Sequence, residues 1–290
     1  METIHTIRWM KEVATQSLVN ERLLGLVPTM GALHEGHFSL VREAKRKCAP
    51  VVVSIFVNPK QFGPGEDLKK YPRTFEADRG ALASLGVDIL FAPSPEEMYP
   101  ASFSTSVTVQ GLNDRWEGRS RPGHFDGVAT VVLKLFDIVK PKTAFFGRKD
   151  AQQVRIIQQM VADLDLDTQV HLCPIVREPD GLALSSRNVY LNPDDRRAAI
   201  VISQALAACK ESIESGEHDV ARLLAAMRTK LESETRVTID YAEIVDAATF
   251  EPLRAIRGNG YALIAAKVGA TRLIDNAYIE QDNETFRVQL

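Results

Sequence analysis

The sequence predicts an α/β fold, with an open, doubly wound parallel sheet in its N-terminal part and a smaller α+β domain after it. Over about the first 175 residues, short β-rich apolar runs alternate with segments of helical period. The runs show little polar alternation, which is typical of parallel strands covered on both faces. After Arg177 the chain changes to Ala-rich helical segments and then to strands joined by short turns, which indicates the second domain.

The predicted N-terminal domain, residues 1–175, is Rossmann-like. Its strands are expected at Leu23–Val27, Val51–Val57, Val87–Ala92, Thr143–Phe146 and Gln169–Val176. Helices are expected between them, from His37 to Ala44, from Phe75 to Leu85 with Gly86 as the C-cap, from Val128 to a stop near Pro141, and over Asp150–Leu164. Open sheets of this kind bind ligands at the carboxyl ends of their strands, so the loops there are the candidate sites.

The predicted C-terminal domain, residues 176–290, is expected to act as a lid. Its helices are predicted at Pro193–Gly216 and Asp219–Glu234. Antiparallel strands are predicted at Val237–Val245, Tyr261–Val268 and Thr271–Ile279, with a turn at Gly269-Ala270.

The composition favours a cytoplasmic protein that acts on something small. The 290 residues carry a formal charge of −3, which offers no basic surface for a long nucleic acid. No apolar run approaches the roughly 18 residues of a membrane span, and no secretory signal is recognisable. The cysteines Cys48, Cys173 and Cys209 are odd in number and far apart, as expected in a reducing compartment.

The first predicted strand leads into a turn that contains His34-Glu-Gly-His37. Backbone N–H groups and the positive end of a helix dipole converge in such a strand–turn–helix and favour a phosphate. Histidine can donate to phosphate oxygens and stabilise charge during phosphoryl or adenylyl transfer. A surface turn and a partial zinc site are the alternatives, although the sequence offers no third ligand at a suitable spacing.

Other loops add polar side chains. Asn58 and Gln61 follow the second strand as neutral amides suited to a hydroxyl or a carboxylate, or they form an ordinary turn. Asp78 and Arg79 are expected on a solvated helix face. Residues 115–155 carry nine basic and four acidic side chains, among which Lys149 precedes a helix and could reach a triphosphate. Ser185-Ser186-Arg187 is suited to close over phosphates, or is plain loop.

His34-Glu-Gly-His37 and Leu184-Ser-Ser-Arg187 together resemble the HxGH and KMSKS-type motifs of the cytidylyltransferase-like superfamily. A longer co-linear set resembles the pantoate–β-alanine ligase (pantothenate synthetase) family. It comprises Pro28-Thr-Met-Gly-Ala-Leu-His-Glu-Gly-His37, Phe56-Val-Asn-Pro59, Gln61-Phe62, Tyr71-Pro-Arg-Thr74, Arg121-Pro-Gly-His-Phe125, Phe146-Gly147 with Lys149-Asp150, Gln152-Gln153 and Asp180-Gly-Leu-Ala-Leu-Ser-Ser-Arg-Asn188, and the similarity continues to Leu273-Ile-Asp-Asn276.

This resemblance implies condensation of pantoate with β-alanine through a pantoyl-adenylate, with ATP and Mg²⁺ as cofactors, release of AMP and pyrophosphate, and a homodimer. Mg²⁺ would be held mainly by the ATP phosphates rather than by a dedicated protein site. The resemblance also assigns site residues. ATP would contact Met30, Gly31, His34, His37, Gly147, Arg148, Lys149, Asp150, Val176, Leu184, Ser185, Ser186 and Arg187. Pantoate would contact Met30, Phe56, Gln61 and Gln153, and Gln61 would also contact β-alanine.

Four of these residues are the implied catalytic groups: His34, His37, Lys149 and Arg187. His37 would be the proton donor toward pyrophosphate. Two positions depart from the common family pattern, since Arg148 stands where an acidic residue is more frequent and Leu184 where Met is frequent. A nucleotidylyltransferase that leaves AMP on its substrate and a non-catalytic nucleotide sensor remain the alternative functions of such a fold.

Overall fold

The computed structural model describes residues 1–283 and 285–290. The chain divides into two units, of which the first comprises Met1–Arg148 and Gln152–Pro174. The second comprises Lys149–Ala151 and Ile175–Leu290. The short segment Lys149–Ala151 therefore groups with the second unit, although the chain on both sides of it belongs to the first.

A parallel sheet forms the centre of the first unit. Its six strands in the described part of the chain are β1 (Glu2–Ile4), β2 (Gly25–Thr29), β3 (Val51–Ile55), β4 (Ile89–Phe91), β5 (Thr143–Gly147) and β6 (Gln169–Cys173). They lie in the order β1-β4-β3-β2-β5-β6, and every pair is parallel. The middle strands are buried almost throughout, which explains their apolar sequences.

Helices cover this sheet and connect its strands. They are α1 (Ile7–Val19), α2 (Glu35–Lys47), α3 (Phe75–Ser84), α4 (Pro95–Met98), α5 (Trp116–Ser120), α6 (His124–Val139) and α7 (Ala151–Asp163). In α2 the buried residues Leu40, Val41 and Ala44 recur at helical spacing and face the core. Helix α6 ends where Lys140 takes a left-handed conformation directly before Pro141.

The second unit packs helices against an antiparallel sheet. Its helices are α8 (Pro193–Ala198), α9 (Ile200–Glu214) and α10 (Val220–Glu232), and its strands are β7 (Val237–Asp246), β8 (Gly260–Val268), β9 (Thr271–Asp282) and β10 (Thr285–Gln289). The described strands lie in the order β10-β9-β8-β7, with each pair antiparallel. One apolar core joins Leu206, Leu223 and Met227 to Ile244 and Ile264 of the sheet.

The predicted α/β fold is confirmed, including the parallel sheet and the α+β part that follows it. The structure adds β1, α1, the short helices α4 and α5, and β10, which the sequence patterns did not predict. Strand β1 spans three residues, too few for a recognisable pattern, and α1 exposes Trp9, Leu18 and Val19, which blurs its helical period. No helix in the described ranges is long and apolar enough to cross a membrane.

Candidate functional site

Three neighbouring strands of the first unit end at the same edge of the sheet, and each leads into a predicted site segment. Strand β2 lies between β3 and β5, and all three are parallel. Met30 follows β2, Phe56 follows β3, and Gly147 closes β5 before Arg148. The chain builds the sheet outward on both sides of β2, which is a topological switch point of the kind at which such sheets bind ligands.

The turn after β2 is held by a buried carboxylate. Gly31 and Ala32 both have left-handed backbones, with φ of 81° and 51°. Asp78 on α3, 4% exposed, accepts the N–H of Ala32 and the N–H of Leu33, each at 2.9 Å. The hydroxyl of Thr74 donates to the same carboxylate at 3.1 Å. These charge-assisted hydrogen bonds offset the cost of burying the carboxylate and fix a turn that Ala32 would otherwise disfavour.

The prediction that Asp78 lies on a solvated face is therefore wrong, whereas Arg79 is exposed and pairs with Glu76. The sequence contained the signal, because Asp78 stands three residues after Phe75 and four before Leu82, on the apolar face of α3. An aspartate on that face must find hydrogen-bond donors, and the tertiary fold supplies them from the turn after β2.

The two histidines cap helix α2. Nδ1 of His34 accepts the N–H of Gly36 at 3.2 Å, and Nδ1 of His37 accepts the N–H of His34 at 3.3 Å. The rings lie 4.2 Å apart between centroids. In each neutral ring an accepting Nδ1 leaves the proton on Nε2, so the cap selects one tautomer for both histidines. Two Nε2–H donors and the N-terminus of α2 are therefore fixed in one short turn.

Gln61 is oriented by a chain of side chains after β3. Nδ2 of Asn58, which is 1% exposed, donates to Oε1 of Gln61 at 3.0 Å and to the carbonyl of Gly127 at 3.0 Å. The hydroxyl of Tyr99 donates to Oδ1 of Asn58 at 2.9 Å. Nε2 of Gln61 lies 3.2 Å from the sulfur of Met30. These contacts orient the Gln61 amide with its oxygen toward Asn58 and its nitrogen toward the turn after β2.

The backbone of Gln61 is held by two side chains of the segment Arg121–His124. Nδ1 of His124 donates to the carbonyl of Gln61 at 2.8 Å, and Arg121 donates to Nε2 of His124 at 3.1 Å. Burial lowers the pKa of His124 to about 4, and the charge of Arg121 acts in the same direction. His124 is therefore a neutral structural link at physiological pH.

Arg121 also binds the carboxylate of Glu66 through two nitrogens, at 2.7 and 2.8 Å. Burial alone would raise the pKa of Glu66, but the hydrogen bonds and the charge of Arg121 outweigh it and hold the pKa below its usual value. The basic excess predicted over residues 115–155 is thus partly neutralised at Arg121, which supports the Gln61 segment.

Two further predicted pantoate residues lie in the first unit. Phe56 is buried at the end of β3, with its ring 6.0 Å from that of Tyr99. Gln153 is half-buried in the first turn of α7. Its neighbour Gln152 has a structural task, because its amide donates to the carbonyls of Leu112 and Arg115 at 2.7 and 2.9 Å.

In the second unit, one hairpin and the turn after it contain five predicted ATP residues: Val176, Leu184, Ser185, Ser186 and Arg187. The N–H of Leu184 donates to the carbonyl of Val176 at 3.0 Å, and Arg177 pairs with Ala183 across the hairpin. Ser185 caps the following 3-10 turn, where its hydroxyl accepts the N–H of Arg187 at 3.2 Å. Ser186 and Arg187 begin that turn.

Lys149 and Asp150 belong to the same unit as this hairpin. The ammonium of Lys149 lies 3.9 Å from the carboxylate of Asp150. Asn276 on β9 donates from Nδ2 to the carbonyl of Lys149 at 2.8 Å. Neither Asp78 nor Asn276 was predicted as a site residue, because the hydrogen bonds that join them to predicted site segments span more than 40 positions of the chain.

The cysteines offer no nucleophile to this site. Cys48, Cys173 and Cys209 are buried and form no disulfide. Burial raises the pKa of Cys173 to about 11 and that of Cys209 to about 12. Their thiols therefore stay protonated at neutral pH and are poor nucleophiles.

Comparisons with known proteins give one answer over nearly the whole chain. A family profile described as pantoate-beta-alanine ligase matches residues 2–278. A pantothenate synthetase of Acidobacterium capsulatum is 55% identical over 267 residues, which are 92% of this chain and 89% of the relative. That of Thermotoga neapolitana is 52% identical over 279 residues, 96% of this chain and all of the relative.

Solved structures agree with these matches. A crystal structure of pantothenate synthetase from Thermus thermophilus is 46% identical, with a TM-score of 0.91 over 95% of this chain and 98% of the other. A pantoate-beta-alanine ligase from Francisella tularensis, crystallised with beta-gamma ATP and beta-alanine, is 36% identical. It has a TM-score of 0.78 over 95% of this chain and 97% of the other.

Proposed function

This chain belongs to the pantoate–β-alanine ligase family, and from that premise we propose that it joins pantoate to β-alanine in two steps driven by ATP. In the first step a pantoate carboxylate oxygen attacks the α-phosphorus of ATP, and pyrophosphate leaves. In the second the amine of β-alanine attacks the acyl carbon of the pantoyl-adenylate, AMP leaves, and the nitrogen loses a proton. The observation that carries this proposal is the pair of capping histidines at the end of β2.

The route through an adenylate answers a chemical difficulty. A carboxylate does not react with an amine in neutral water, since oxide would be the leaving group. Adenylation replaces that leaving group by AMP. The protein must then stabilise the charge of departing pyrophosphate and keep water from the adenylate.

His34 and His37 meet the first demand. Both rings accept backbone N–H groups at Nδ1, so each presents Nε2–H as its donor. Donors that are already oriented need no reorganisation as charge develops on the phosphate oxygens. We assign His37 the donor role toward pyrophosphate, while the backbone of Met30 and Gly31 lines ATP beside it.

Gln61 is assigned to pantoate in the first step and to β-alanine in the second. Asn58 occupies the oxygen of Gln61, and the amide nitrogen, which contacts the Met30 sulfur, has a second N–H to offer an incoming carboxylate or hydroxyl. Phe56 supplies apolar surface to pantoate, and Gln153 supplies a second amide. If Gln61 binds pantoate first and β-alanine afterwards, its amide must keep one orientation. The hydrogen bonds from Asn58 to Gln61 and from Tyr99 to Asn58 support such a fixed orientation.

The remaining assignments concern ATP. We assign Gly147, Arg148 and Leu184 backbone contacts to the nucleotide, so that the unusual Arg148 and Leu184 are both compatible with binding. Lys149 and Arg187 bring positive charge to the phosphates, and Ser185 and Ser186 bring hydroxyls. Asp150, Val176 and Leu184 complete the proposed contact set.

We assign the Mg²⁺ ion mainly to the phosphates of ATP. Among the described residues no group of three or more His, Cys, Asp and Glu side chains is arranged to hold a metal. Mg²⁺ keeps several waters and binds through phosphates and few protein ligands. When bound it would neutralise phosphate charge, while His34, His37 and Lys149 contribute the protein's own share.

Exchange of labelled pyrophosphate into ATP tests this function. We expect exchange that requires pantoate and proceeds without β-alanine. Exchange that is indifferent to pantoate would contradict the proposal. Complete turnover with β-alanine should release free AMP in proportion to the amide product. An adenylyl group retained on the product would identify a nucleotidylyltransferase, and nucleotide binding without turnover would identify a sensor.

We also propose that the protein is a cytoplasmic homodimer. Three buried, unpaired thiols are compatible with a reducing compartment, and the dimer follows from the family resemblance. Light scattering of the purified protein measures the second point, with a mass of twice 32.1 kDa expected.

A further inference from the structure

Asn276 joins strand β9 to the backbone of Lys149. Its side chain is buried, with 1% of its surface exposed. Nδ2 donates to the carbonyl oxygen of Lys149 at 2.8 Å. Removing the Asn276 amide would leave the carbonyl of Lys149 without that donor.

The preceding residue of β9 anchors the base of the Val176–Leu184 hairpin. Asp275 accepts from both terminal nitrogens of Arg177, at 2.6 and 2.9 Å, and its side chain is 2% exposed. Arg177 in turn donates to the carbonyl of Gly181 at 3.1 Å and to the carbonyl of Asn276 at 3.3 Å. A bidentate pair of this kind fixes orientation as well as distance.

Asp275 and Asn276 therefore connect two segments that carry proposed phosphate contacts. Through Asn276 they hold Lys149, and through Arg177 they hold the hairpin that leads into Ser185–Arg187. All of these residues belong to the second unit. Fixing the carbonyl of Lys149 restricts the position from which its own side chain extends.

We propose that Asn276 is a positioning residue for adenylate formation, and that it acts by holding the backbone of Lys149 where its ammonium group can reach the phosphates of ATP. The inference rests on the proposed function. The rates of group-transfer reactions depend steeply on geometry, since displacing a catalytic group by about 1 Å costs on the order of 100-fold in rate.

The test compares Asn276→Ala with wild type in pantoate-dependent exchange of pyrophosphate into ATP. We expect kcat/KM for ATP to fall by roughly 10- to 100-fold. Asn259→Ala is the matched control, because Oδ1 of Asn259 also bonds a backbone group, the N–H of Gln281 at 2.8 Å, in the same unit. The control should keep wild-type exchange. Asn276→Ser, which keeps a polar group but is too short to reach Lys149, carries the test if the alanine variant does not fold.

A double-mutant cycle with Lys149→Ala separates positioning from general structural support. If Asn276 acts through Lys149, the Asn276 substitution should cost less than about twofold once Lys149 has been replaced, because no ammonium group is left to position. Losses that multiply in the double variant would overturn the proposal, as would an Asn276→Ala or Asn276→Ser protein that exchanges like wild type.

Failure of the proposed function would look different. A wild-type protein without pantoate-dependent exchange would contradict the ligase assignment and, with it, this inference. If the wild type and the Asn276→Ala variant both exchange pyrophosphate normally, only the positioning role of Asn276 is refuted.

Discussion

Nδ1 of the His37 ring accepts the backbone N–H of His34 at 3.3 Å, so a proposed catalytic side chain also caps the helix that carries it. The same nitrogen cannot accept that bond and carry a proton. The cap and the Nε2–H tautomer therefore depend on each other.

Two substitutions of His37 separate the cap from the donor. An asparagine can place an oxygen near Nδ1 and keep the bond to His34, whereas a glutamine can place a donor near Nε2. We expect pantoate-dependent exchange to fall by about 10²- to 10⁴-fold in His37→Asn and by less in His37→Gln. The asparagine variant keeps the cap and should therefore melt at a higher temperature than the glutamine variant. His5→Ala, which changes an exposed histidine of the same unit, should leave exchange intact. Equal rates for the asparagine and glutamine variants would remove Nε2 from the mechanism.

Asp78→Asn should impair the turn after β2. Each carboxylate oxygen of Asp78 accepts one backbone N–H, that of Ala32 or that of Leu33, so the NH₂ group of an asparagine would face one of these donors and lose that hydrogen bond. We expect a loss of about 2 kcal/mol in the free energy of unfolding and at least a tenfold loss of exchange. Denaturant unfolding and the exchange assay measure the two effects.

Asp88→Asn is the matched control for Asp78. Asp88 accepts one N–H, that of Val51 at 2.8 Å, elsewhere in the same unit. The Asp88→Asn protein should lose some stability and keep the wild-type rate of pyrophosphate exchange. If both variants retain full exchange, the turn after β2 does not depend on Asp78.

The lowered pKa of His124 should make the protein less stable in weak acid. Its folded pKa of about 4 lies below the ordinary value of 6.5, so between these pH values the unfolded chain binds more protons than the folded one. The free energy of unfolding should decline by roughly 3 kcal/mol as the pH falls from 6.5 to 4. Urea unfolding at several pH values measures this slope. His124→Asn cannot titrate there and should have a correspondingly flatter profile; an unchanged slope would assign the effect to other groups.

Gly127 allows α6 to approach the Gln61 turn. A Cβ at this position would lie 2.3 Å from the carbonyl oxygen of Lys60 and 2.6 Å from the nitrogen of Gln61. Gly127→Ala must push these backbones apart, and we expect a loss of about 1–3 kcal/mol in stability together with a raised KM for pantoate.

Gly80→Ala is the corresponding control in α3. Apart from its chain neighbours and the backbone of its own helix, no atom of residues 1–283 and 285–290 lies within 4 Å of its Cβ position, and an alanine inside a helix should raise stability by up to about 1 kcal/mol. Thermal unfolding and pantoate kinetics of the two variants measure the difference. A Gly127→Ala protein with wild-type KM and stability would contradict the close approach.

The sequence predicted most of what local pattern controls. Apolar runs indicated β2, β3 and β5, and helical spacing indicated α2 and α6, because strand and helix periods are properties of neighbouring residues. It did not predict β1, since a strand of three residues becomes stable only through its partners, or β10, which has only two apolar residues, Phe286 and Val288. The continuous helix expected over Pro193–Gly216 is interrupted at Ala199.

The sequence by itself determined the fold class, the family and the residue types available for chemistry, because these depend on composition, period and the order of motifs. Only the tertiary structure decided what those residues touch. Asp78 became the buried anchor of the turn before His34, His124 a neutral link to Gln61, and Asn276 a contact of Lys149 across 127 positions of chain. The partners of such a side chain cannot be read from local pattern, because they meet it only when the chain folds.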